Sequence, residues 1–503
     1  MYDKNLNTIF DITAFGAVPG GEASCTEAIK GAVEACRKAG GGTVYIPAGE
    51  FITGPIHMVS NMTLYLDAGA RLLFVQNKEE YPLVYTRWEG AEHHAYSPLI
   101  YGFNLENVAV MGRGILDGQG EYWWKLERSK SLENPRPRFI SFESCNNVLI
   151  EGVTLLNSPA WTINPIRSQN ITIHKIAIKN PADSPNTDGI NPDSCKNVRI
   201  SNCHVDVGDD CITIKSGTED CSVRVPCENI TVTNCTMVHG HGGVVIGSEM
   251  SGDVRNVVIS NCVFEGTERG IRMKSRRGRG GVVEDIRINN IVMKDVISPI
   301  VLHLFYYCGP KGKDKYVWDK NPYPVDQGTP AFRRIHFSNI TARNVHAAAG
   351  FIYGLPEMPL EEITFDNISV EMAENAVPGM PAMMSNLEPV AKKGFFGCNT
   401  KDIRFNNVKV TGQDGPAFNI EDSQNIEFTG CSGEGIHSGD PVIVLSQVRN
   451  AFIHGCRATG EKEVFAELVG AETAGIEFTG NSKNINRKNV KLTGGALETS
   501  VEF

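Results

Sequence analysis

The 503-residue sequence lacks the features that mark several large classes of protein. Its formal net charge of −10 at pH 7 argues against a general nucleic-acid binder, because such proteins meet phosphates with a basic field. Its 41% hydrophobic and 21% charged residues are ordinary for a soluble globular protein and argue against a disordered or membrane-spanning chain. No low-complexity segment or domain linker is present. These absences leave a folded protein, in which an anionic substrate would require a local basic patch.

The sequence also shows no secretory signal and no pattern of paired cysteines. Its first residues, MYDKNLNTIFDITAFGAV, contain no basic region followed by an apolar core and a small-residue cleavage site. The 14 cysteines have neither the spacing of a disulfide framework nor that of a zinc site, and we interpret them as buried free thiols. Both observations favour a cytoplasmic location; a secreted or periplasmic protein would need a signal that has been removed.

A short strand signature recurs from the first quarter of the chain to its end. Most successive copies begin 23 to 32 residues apart, which matches one coil of a three-strand solenoid. Apolar and polar positions alternate within each copy, so each predicts a short strand with one face inward. The Asn and Cys residues that recur at strand ends are expected to stack in ladders with a structural role. Clear copies are NVAVMG, NVLIEG, NITIHK, NVRISN, NITVTN and NVVISN, which begin at Asn107, Asn147, Asn170, Asn197, Asn229 and Asn256.

A helix is predicted before the repeats, in SCTEAIKGAVEACRKAGGG. Ser24 is placed to cap it, Glu27 to complete a capping box, and the glycines at 40–42 to end it. A solenoid exposes a strand edge and apolar core at its first coil, and an amphipathic helix would cover both. The sequence therefore predicts an all-β parallel solenoid, one domain over residues 1–503, with an N-terminal cap region in residues 1–50.

Three stretches break the period and predict long loops, near residues 85–101, 303–333 and 371–399. Aromatic side chains on such loops either stack on sugar rings or pack the loop onto the body, and both interpretations stay open. The aromatic residues of the middle loop are Tyr306, Tyr307, Tyr316, Trp318 and Tyr323.

Acidic residues are concentrated in the segment NTDGINPDSCKNVRISNCHVDVGDDCITIKSG. Asp188 precedes one strand, the pair Asp209 and Asp210 precedes another, and Asp209 follows Asp188 by 21 residues. Because this is close to one coil, the carboxylates should return to the same side of the solenoid, about 4.8 Å apart along its axis. Like charges so close cannot all ionise easily, so at least one of the three pKa values should be raised.

Cationic groups follow at the same spacing. His241 lies one longer coil after the aspartate pair, and Arg272 lies one coil after His241, with Lys274 on the same face as Arg272. Arg272 and Lys274 belong to a basic run that supplies the patch an anionic sugar would need. We expect Arg277 and Arg279 to belong to a solvated loop. The run contains Arg269, Arg272, Lys274, Arg276, Arg277 and Arg279.

Carboxylates beside cations in one groove fit hydrolysis of a glycosidic bond. One protonated carboxyl would donate to the leaving oxygen, and an ionised one would activate water. NTDG, GDD or a glycine-flanked histidine alone is more often a turn or a structural residue. Their coincidence at coil spacing is more specific, and its main structural rival is a calcium site formed by the three aspartates.

Four motifs in order now define a resemblance: NTDG from Asn186, GDD from Gly208, GHG from Gly240 and RMK from Arg272. They resemble glycoside hydrolase family 28, the polygalacturonase family, whose usual RIK is replaced here by RMK with both cations kept. The segments FDITAFGAV and GGGTVYIPAGEF also resemble the N-terminal region of that family. The resemblance implies a right-handed parallel β-helix that hydrolyses α-1,4-galacturonosyl bonds with inversion and needs no metal or organic cofactor.

The resemblance also implies roles for individual residues. Asp209 would be the general acid, Asp188 and Asp210 would hold and activate the attacking water, and His241 would support protonation of the acid. A tyrosine is expected after the cationic motif, and Tyr307 is chosen for it although Tyr306 is adjacent. The substrate-binding candidates are therefore Arg272, Lys274, Tyr307, Asn186 and Arg269.

An acidic galacturonate-containing oligo- or polysaccharide is the expected partner, without nucleic acid or membrane. The long loops, together with the missing signal, motivate a hypothesis of exo action on short oligogalacturonates. Hydrolysis of rhamnogalacturonan or xylogalacturonan on the same scaffold, a pectate-lyase-like elimination and a non-catalytic carbohydrate-binding solenoid are the alternatives.

Overall fold

The computed structural model describes residues 8–309, 311–437, 439–458, 464–482 and 487–503. The chain divides into two compact units, Met1–Val244 and Val245–Phe503. Both units consist mainly of parallel strands. The expectation of a single domain over residues 1–503 stays a prediction.

The first unit contains two helices, α1 (Thr26–Lys38) and α2 (Glu121–Arg128), and 3-10 turns at Ile12–Phe15 and Lys78–Glu80. Its strands are β1 (Ile9–Asp11), β2 (Gly42–Ile46), β3 (Gly49–Thr53), β4 (Ile56–His57), β5 (Met62–Leu66), β6 (Ala70–Phe74), β7 (Leu83–Trp88), β8 (Ala91–Tyr96), β9 (Ile100–Phe103), β10 (Glu106–Gly112), β11 (Ile115–Asp117), β12 (Ile140–Glu143), β13 (Asn146–Glu151), β14 (Thr154–Leu156), β15 (Gln169–His174), β16 (Ala177–Lys179), β17 (Lys196–Ser201), β18 (His204–Val207), β19 (Ile212–Ile214), β20 (Cys227–Thr233) and β21 (Thr236–His239).

Three stacks of parallel strands build the coils of this unit. The first runs β1, β2, β5, β10, β13, β15, β17, β20, and the second runs β3, β6, β11, β14, β16, β18, β21. The third begins β4, β9, β12 and continues to β19 through single bridges. Apolar residues of successive coils stand in register, so each coil buries its inward face only against its neighbours. One such inward row is Val108, Val148, Ile171, Val198 and Ile230. The predicted parallel β-helix is confirmed.

Asparagines form the expected ladder at the strand starts. Asn107 donates its amide to the side-chain oxygen of Asn61 at 2.9 Å, and Asn147 donates to Asn107 at 2.8 Å. Asn197 and Asn229 extend the pattern further along the chain, at 3.0 and 3.1 Å. These asparagines have positive φ, a conformation that Asn tolerates better than most residues. Their role is structural, as predicted.

Helix α1 packs against the first strands, β1 to β4, and so covers the first coil as predicted. The predicted capping box is wrong. Cys25 occupies the N-cap position without a side-chain cap bond, but the Ser24 hydroxyl accepts from the Thr26 amide at 3.4 Å, so only the predicted contact of Ser24 with the first turn is found. Glu27 pairs instead with Lys30, at 2.8 Å. The helix ends at Lys38, beside the predicted glycines.

Strands β7 and β8 form an antiparallel hairpin that leaves the coils. The hairpin occupies most of the stretch predicted as a loop near residues 85–101, so the departure from the period is confirmed up to Ile100, where β9 already belongs to the third stack. The stretch is ordered by cross-strand pairing, from Leu83 opposite Tyr96 to Trp88 opposite Ala91.

Strand β22 (Val244–Gly247) contains the boundary between the units, and the second unit holds helix α3 (Lys315–Trp318) and 3-10 turns at Arg487–Asn489 and Glu498–Ser500. Its strands are β23 (Val254–Glu265), β24 (Arg269–Lys274), β25 (Val282–Lys294), β26 (Ser298–His303), β27 (Ala331–Val345), β28 (Ala348–Tyr353), β29 (Leu360–Met372), β30 (Lys393–Cys398), β31 (Thr400–Thr411), β32 (Phe418–Glu421), β33 (Gln424–Thr429), β34 (Ser432–Glu434), β35 (Ile443–Ser446), β36 (Arg449–His454), β37 (Arg457–Ala458), β38 (Ala466–Val469), β39 (Ala474–Thr479), β40 (Val490–Thr493) and β41 (Val501–Glu502).

Long strands pair in parallel in the order β23, β25, β27, β29, β31, and shorter ones continue the stack. A separate parallel sheet runs β24, β26, β28, β30, β32, β35, β38, β40 and is called the B sheet of this unit. The core between them contains stacked phenylalanines at ring distances of 5.2, 4.9 and 5.0 Å. This row is Phe337, Phe365, Phe405 and Phe428.

The two loops predicted in the second unit are confirmed in part. Most of 303–333 lies outside the coils and holds α3, but β27 already begins at Ala331. Within 371–399, residues 379 and 390 are joined by an antiparallel bridge, whereas β30 belongs to the B sheet from Lys393 onward. The prediction of a loop is therefore wrong for this last part, because β30 departs from the repeat pattern used to find strands.

All 14 cysteines are free, and 12 of them are buried. This agrees with their interpretation as core thiols. Among the described residues, no helix is long and apolar enough to span a membrane.

Candidate active site

The NTDG segment of the first unit holds Asp188 in a buried polar setting. The backbone oxygen of Asp188 accepts a hydrogen bond from the Thr162 amide at 2.8 Å, which ties the segment to the preceding coil. Its Oδ2 accepts from the Asn191 amide group at 3.1 Å and from the Thr213 hydroxyl at 3.4 Å. The carboxylate is only 3% exposed and is oriented by these neighbouring donors.

The chain turns between β18 and β19, and this turn carries Asp209 and Asp210. Adjacent residues of a regular strand would point to opposite faces, so the turn is what allows both side chains to serve one site. The Oδ1 of Asp209 accepts from the backbone amide of Asp210 at 2.8 Å. Gly208 is required by close packing, because a Cβ there would lie 2.5 Å from the oxygen of Ser184.

The carboxylates of Asp188, Asp209 and Asp210 meet at one point. One oxygen from each lies within 4.8 Å of the others, and Asp188 and Asp210 are buried while Asp209 is half-buried. The structure thus brings together the three aspartates on which the sequence interpretation depends. The expected rise in one of their pKa values stays a prediction.

His241 lies beside Asp209. Its Nδ1 is 3.2 Å from Asp209 Oδ1, and its backbone amide donates to the Asp209 backbone oxygen at the same distance. Gly240 makes this approach possible: its φ is +75°, and an added Cβ would lie 2.2 Å from the Asp209 oxygen. The GHG motif therefore positions the imidazole against one carboxylate.

A lysine that sequence reasoning missed lies beside Asp188. The Nζ of Lys215 is 3.9 Å from Asp188 Oδ2 and 3.9 Å from the centre of the Trp161 ring, and the lysine is 5% exposed. Trp88 of the β7–β8 hairpin stacks on Trp161 with ring centres 5.1 Å apart. The signal was the alternation in CITIKSG, which places Lys215 two residues after Thr213 on the outward face.

Asn186, a predicted substrate-binding residue, is held by a buried arginine. Its side-chain oxygen accepts from the Arg136 guanidinium at 2.8 Å. Arg136 also donates to the backbone oxygens of Pro159 and Pro185, at 2.8 Å each. Burial lowers the pKa of Arg136, and the nearby carboxylates of Glu127, Glu89 and Asp188 act in the opposite direction. Arg136 thus fixes the start of the NTDG motif.

Among the described residues, the three aspartates are the group whose atoms could hold a metal ion. Calcium takes six to eight oxygen ligands, so three carboxylates would need further donors. A cation would also meet the Lys215 ammonium, 3.9 Å from Asp188. The charge balance favours acid–base chemistry over calcium binding.

The second unit contains the RMK motif on β24, and its cations are covered by an aromatic ring. Arg272 and Lys274 are 1% and 6% exposed. The guanidinium carbon of Arg272 lies 5.8 Å from the centre of the Tyr306 ring, and the Lys274 Nζ lies 5.2 Å from it. Of the two adjacent tyrosines, Tyr306 faces the cations, and a substrate contact of Tyr307 stays a prediction. The Tyr307 amide donates instead to the Met383 oxygen at 3.4 Å.

His303 lies next to Lys274 in the B-sheet register and is fully buried. Its two ring nitrogens have no hydrogen-bond partner among the described residues. Burial lowers its pKa well below 6.5, and the charges of Arg272, Lys274, Lys320 and Arg269 lower it further. The imidazole is therefore a neutral side chain enclosed by cations.

The rest of the basic run is built into the protein body. Arg269 pairs with Glu268 and donates to the Met380 oxygen at 2.7 Å. The expectation that Arg277 and Arg279 are solvated is wrong, since they are 0% and 5% exposed. Arg277 forms a bidentate pair with Glu357, at 2.6 and 2.9 Å, and donates to backbone oxygens of the segment that carries α3. Its long-range partners, which a local pattern does not reveal, explain the error.

The first unit alone contains the groups that acid–base hydrolysis requires. Three carboxylates meet at one point on a parallel solenoid, a histidine contacts one of them, and a lysine neighbours another. A carboxyl can protonate a leaving oxygen while a second carboxylate holds water. These features define a hydrolase that acts on glycosidic bonds.

Known proteins agree with this class. The family model described as Glycosyl hydrolases family 28 matches residues 36–379. A probable polygalacturonase of Vitis vinifera is 36% identical over 376 residues, which are 72% of this chain and 74% of that protein. An endo-polygalacturonase of Pectobacterium carotovorum subsp. carotovorum is 32% identical over 304 residues, 56% of this chain and 72% of that protein.

A solved structure supports the same assignment. The hyperthermoactive exopolygalacturonase from Thermotoga maritima superimposes with a TM-score of 0.65 at 34% identity, covering 74% of this chain and 89% of that one. The chain belongs to glycosyl hydrolase family 28 and is a glycoside hydrolase.

Proposed function

We propose that the protein hydrolyses α-1,4-galacturonosyl bonds in galacturonan-type chains and releases short products from a chain end. The main observation in support of hydrolysis is that one carboxylate oxygen from each of Asp188, Asp209 and Asp210 lies within 4.8 Å of the others. The polygalacturonase relatives support the choice of substrate. Oligogalacturonates, whose uronate groups are anionic, are the substrates on which this function is tested.

Asp209 acts as the general acid in this proposal. It is the most exposed of the three carboxylates, and its contact with His241 links it to a second titratable group. Asp188 and Asp210 hold the attacking water, and Lys215 beside Asp188 favours the ionised form of that carboxylate. Inversion needs space for a water molecule beside the bond that is cleaved. Asp188 and Asp210 hold that water jointly in this proposal, since each places a carboxylate oxygen within 4.8 Å of the other.

Arg272 and Lys274 bind a uronate carboxylate. Both side chains are nearly enclosed, and both face Tyr306. A buried guanidinium binds a carboxylate through two parallel hydrogen bonds, and a lysine adds a point charge. The ring of Tyr306 provides a wall beside this anion site.

Action at a chain end is supported by the β7–β8 hairpin, which lies over the outward face of the third stack in the first unit. Thr86 donates to Glu143 on β12 at 2.8 Å, and Arg87 donates to Asp193 two coils further, at 2.6 Å. At the tip, the Gly90 oxygen accepts from the Thr218 amide at 3.2 Å. With Trp88 stacked on Trp161, the hairpin contacts this face from β12 to the coil that carries Lys215. We infer that a polysaccharide bound on this face ends at the hairpin.

This chain is similar both to an exopolygalacturonase and to an endo-polygalacturonase, so chain-end and internal cleavage are distinguished by experiment. Product analysis on polygalacturonate tests the proposal. Monomer or dimer should appear from the first time points, and early release of mixed oligomers would reject action at a chain end. Unsaturated products that absorb in the ultraviolet would instead indicate elimination.

A hairpin variant tests the cause of chain-end action. Replacement of residues 84–95 by a short glycine–serine turn should open the groove and add longer oligomers to the first products. Trp88→Ala, a smaller change, should shift the products in the same direction, and Tyr85→Ala is its control, because Tyr85 is 63% exposed on the same hairpin. An unchanged product pattern in folded forms of both hairpin variants would contradict the assigned role.

We also propose a cytoplasmic location. The 14 free thiols, 12 of them buried, support it, since disulfides are rare in reducing compartments. Fractionation of the source cells tests this, and recovery of the protein outside the cytoplasm would reject it.

A further inference from the structure

A second concave site lies in the second unit, away from the RMK motif. It is a cavity of about 340 Å³ between the B sheet and the segment 379–390. We call it the aromatic cavity. Its lining residues on the B sheet and nearby include Phe351, Tyr353, Phe396, Lys393 and Asn419, and segment 379–390 contributes Pro381, Asn386, Leu387, Glu388 and Val390.

Three aromatic rings form one wall of the cavity. Phe351 and Phe396 stack with ring centres 5.4 Å apart, and Tyr353 meets the Phe396 ring edge-on at 5.9 Å. Phe396 and Tyr353 are half-buried, so their rings are accessible from the cavity. Flat apolar faces of this kind pack against the C–H face of a pyranose ring.

The aromatic cavity shares a face of the B sheet with the proposed carboxylate site. Arg272 is in register with Val301, then with Phe351, Phe396 and finally Asn419 on successive strands. Lys274 is likewise in register with His303 and Tyr353. At about 4.8 Å per strand, Phe396 lies roughly 14 Å along the sheet from Arg272. The two sites are thus close enough to be occupied by one oligosaccharide.

The segment 379–390 connects the two sites structurally. Gly379 and Val390 exchange backbone hydrogen bonds at 2.9 and 3.0 Å, which closes the segment into a hairpin. Near one end, the Met380 oxygen accepts from Arg269, and Met384 bridges to Tyr306 of the carboxylate site. The same segment therefore borders the cations and lines the aromatic cavity.

The polar groups of the cavity do not fit a second free uronate. Lys393 is already paired with Asp414 at 3.3 Å, and Glu388 adds a negative charge. Asn419 donates its amide to Glu421 at 3.0 Å, while its buried side-chain oxygen has no donor among the described residues. The lining thus suits an uncharged sugar better than an anionic one.

We propose that the aromatic cavity is a carbohydrate subsite for an uncharged pyranose, either a methyl-esterified galacturonate or a neutral sugar residue. The proposal depends on the assignment of the chain as a glycoside hydrolase and is independent of chain-end cleavage. It assigns opposite charge preferences to two sites on one sheet face: the cations take the free carboxylate, and the aromatic cavity takes a sugar without one.

Isothermal titration calorimetry on the full-length protein tests this proposal. The protein carries Asp209→Asn, so that the ligand is not hydrolysed during the titration. The probes are hexagalacturonate, a partly methyl-esterified hexagalacturonate and a neutral galacto-oligosaccharide. Adding Phe396→Ala should raise the Kd of the methyl-esterified hexagalacturonate, of the neutral galacto-oligosaccharide, or of both, about tenfold, which is the scale of one aromatic contact. The Kd of hexagalacturonate should change less than about twofold. The ligand that responds identifies whether the ester or the neutral sugar is recognised.

Phe452→Ala in the same background is the matched control, because Phe452 is a half-buried phenylalanine on β36, outside the B sheet. It should leave all three affinities unchanged. Equal weakening of all ligands by Phe396→Ala, or no weakening of either uncharged-sugar ligand, would overturn the proposal. Hydrolysis of hexagalacturonate by the wild type is measured separately: its absence would reject the proposed function without deciding on the cavity.

Discussion

The acidic cluster of the first unit and the cationic cluster of the second unit hold buried charge in different ways. The carboxylates are oriented by short side chains and by backbone turns, such as Asn191 beside Asp188 and Gly240 beside Asp209. The cations are enclosed by long segments from elsewhere in the unit, which place Tyr306 and Met380 against them. Local motifs thus create the acidic cluster, whereas distant loops complete the cationic one.

The difference suggests a division of labour. Carboxylates that exchange protons must be placed to a fraction of an ångström, and turns within one coil provide that precision. A carboxylate-binding pocket needs desolvated cations and a wall, and loops can supply both. We therefore expect changes in the acidic cluster to act mainly on kcat, and changes in the cationic cluster mainly on KM.

Asp209→Asn should have the largest effect. Loss of the general acid should lower kcat about 10³-fold or more while substrate binding changes little. Steady-state kinetics with trigalacturonate measure kcat, and a binding titration with the same ligand measures Kd. Asp206→Asn is the matched control, because Asp206 also contacts a histidine, His239 at 2.8 Å, but lies outside the cluster. A comparable loss of kcat in Asp209→Asn and Asp206→Asn would contradict a specific catalytic role of the acidic cluster.

Arg272→Met should lower kcat/KM about 100-fold, chiefly through KM, since it removes a charge-assisted contact to the uronate. Arg343→Met, which replaces an exposed arginine on β27, serves as the control and should have no effect. A fall in kcat at unchanged KM would contradict the division between the two clusters.

Lys215→Met should lower kcat about tenfold and move the acid limb of the pH profile upward by about half a unit to one unit. A carboxylate that loses a neighbouring cation keeps its proton to higher pH. Lys215→Arg should restore the wild-type limb, and the exposed Lys179 provides a control as Lys179→Met. If Lys215→Met lowered activity equally at every pH, Lys215 would have a packing role only.

His303→Asn should have the smallest effect, on the pH dependence of stability. Burial and neighbouring cations lower the pKa of His303 well below 6.5, so the unfolded chain binds a proton below that pH while the folded protein does not. The wild type should therefore lose stability as the pH falls below 6.5, by up to about 1.4 kcal/mol per pH unit from this group. Urea unfolding at pH 7 and pH 5 should show a shallower loss for His303→Asn. Exposed His94→Asn should retain the wild-type slope.

Much of the fold and the acidic cluster could be predicted because their causes are local. Asn107 and Asn147 repeat at coil positions, and the spacing of Asp188 and Asp209 matches one coil, so stacking follows from periodicity. The turn between β18 and β19 then lets the adjacent Asp209 and Asp210 serve one site.

Other features could not be predicted because they depend on contacts between distant segments. Tyr306 and Tyr307 are indistinguishable by spacing, and only the paths of two long segments decide which ring reaches the cations. The local sequence predicts Arg277 as a surface residue, because its partner Glu357 lies 80 residues away in the chain. Lys215 was missed for a different reason: its strand alternation was visible, but its charge was not connected with Asp188.

Proton NMR of trigalacturonate during hydrolysis tests most directly whether the acidic cluster works as proposed. The wild type should release saturated monomer or dimer whose new reducing end first appears with the configuration opposite to that of the cleaved bond, and Asp209→Asn should release almost none. A first product with retained configuration would contradict joint holding of water by Asp188 and Asp210, and an unsaturated product would contradict hydrolysis itself.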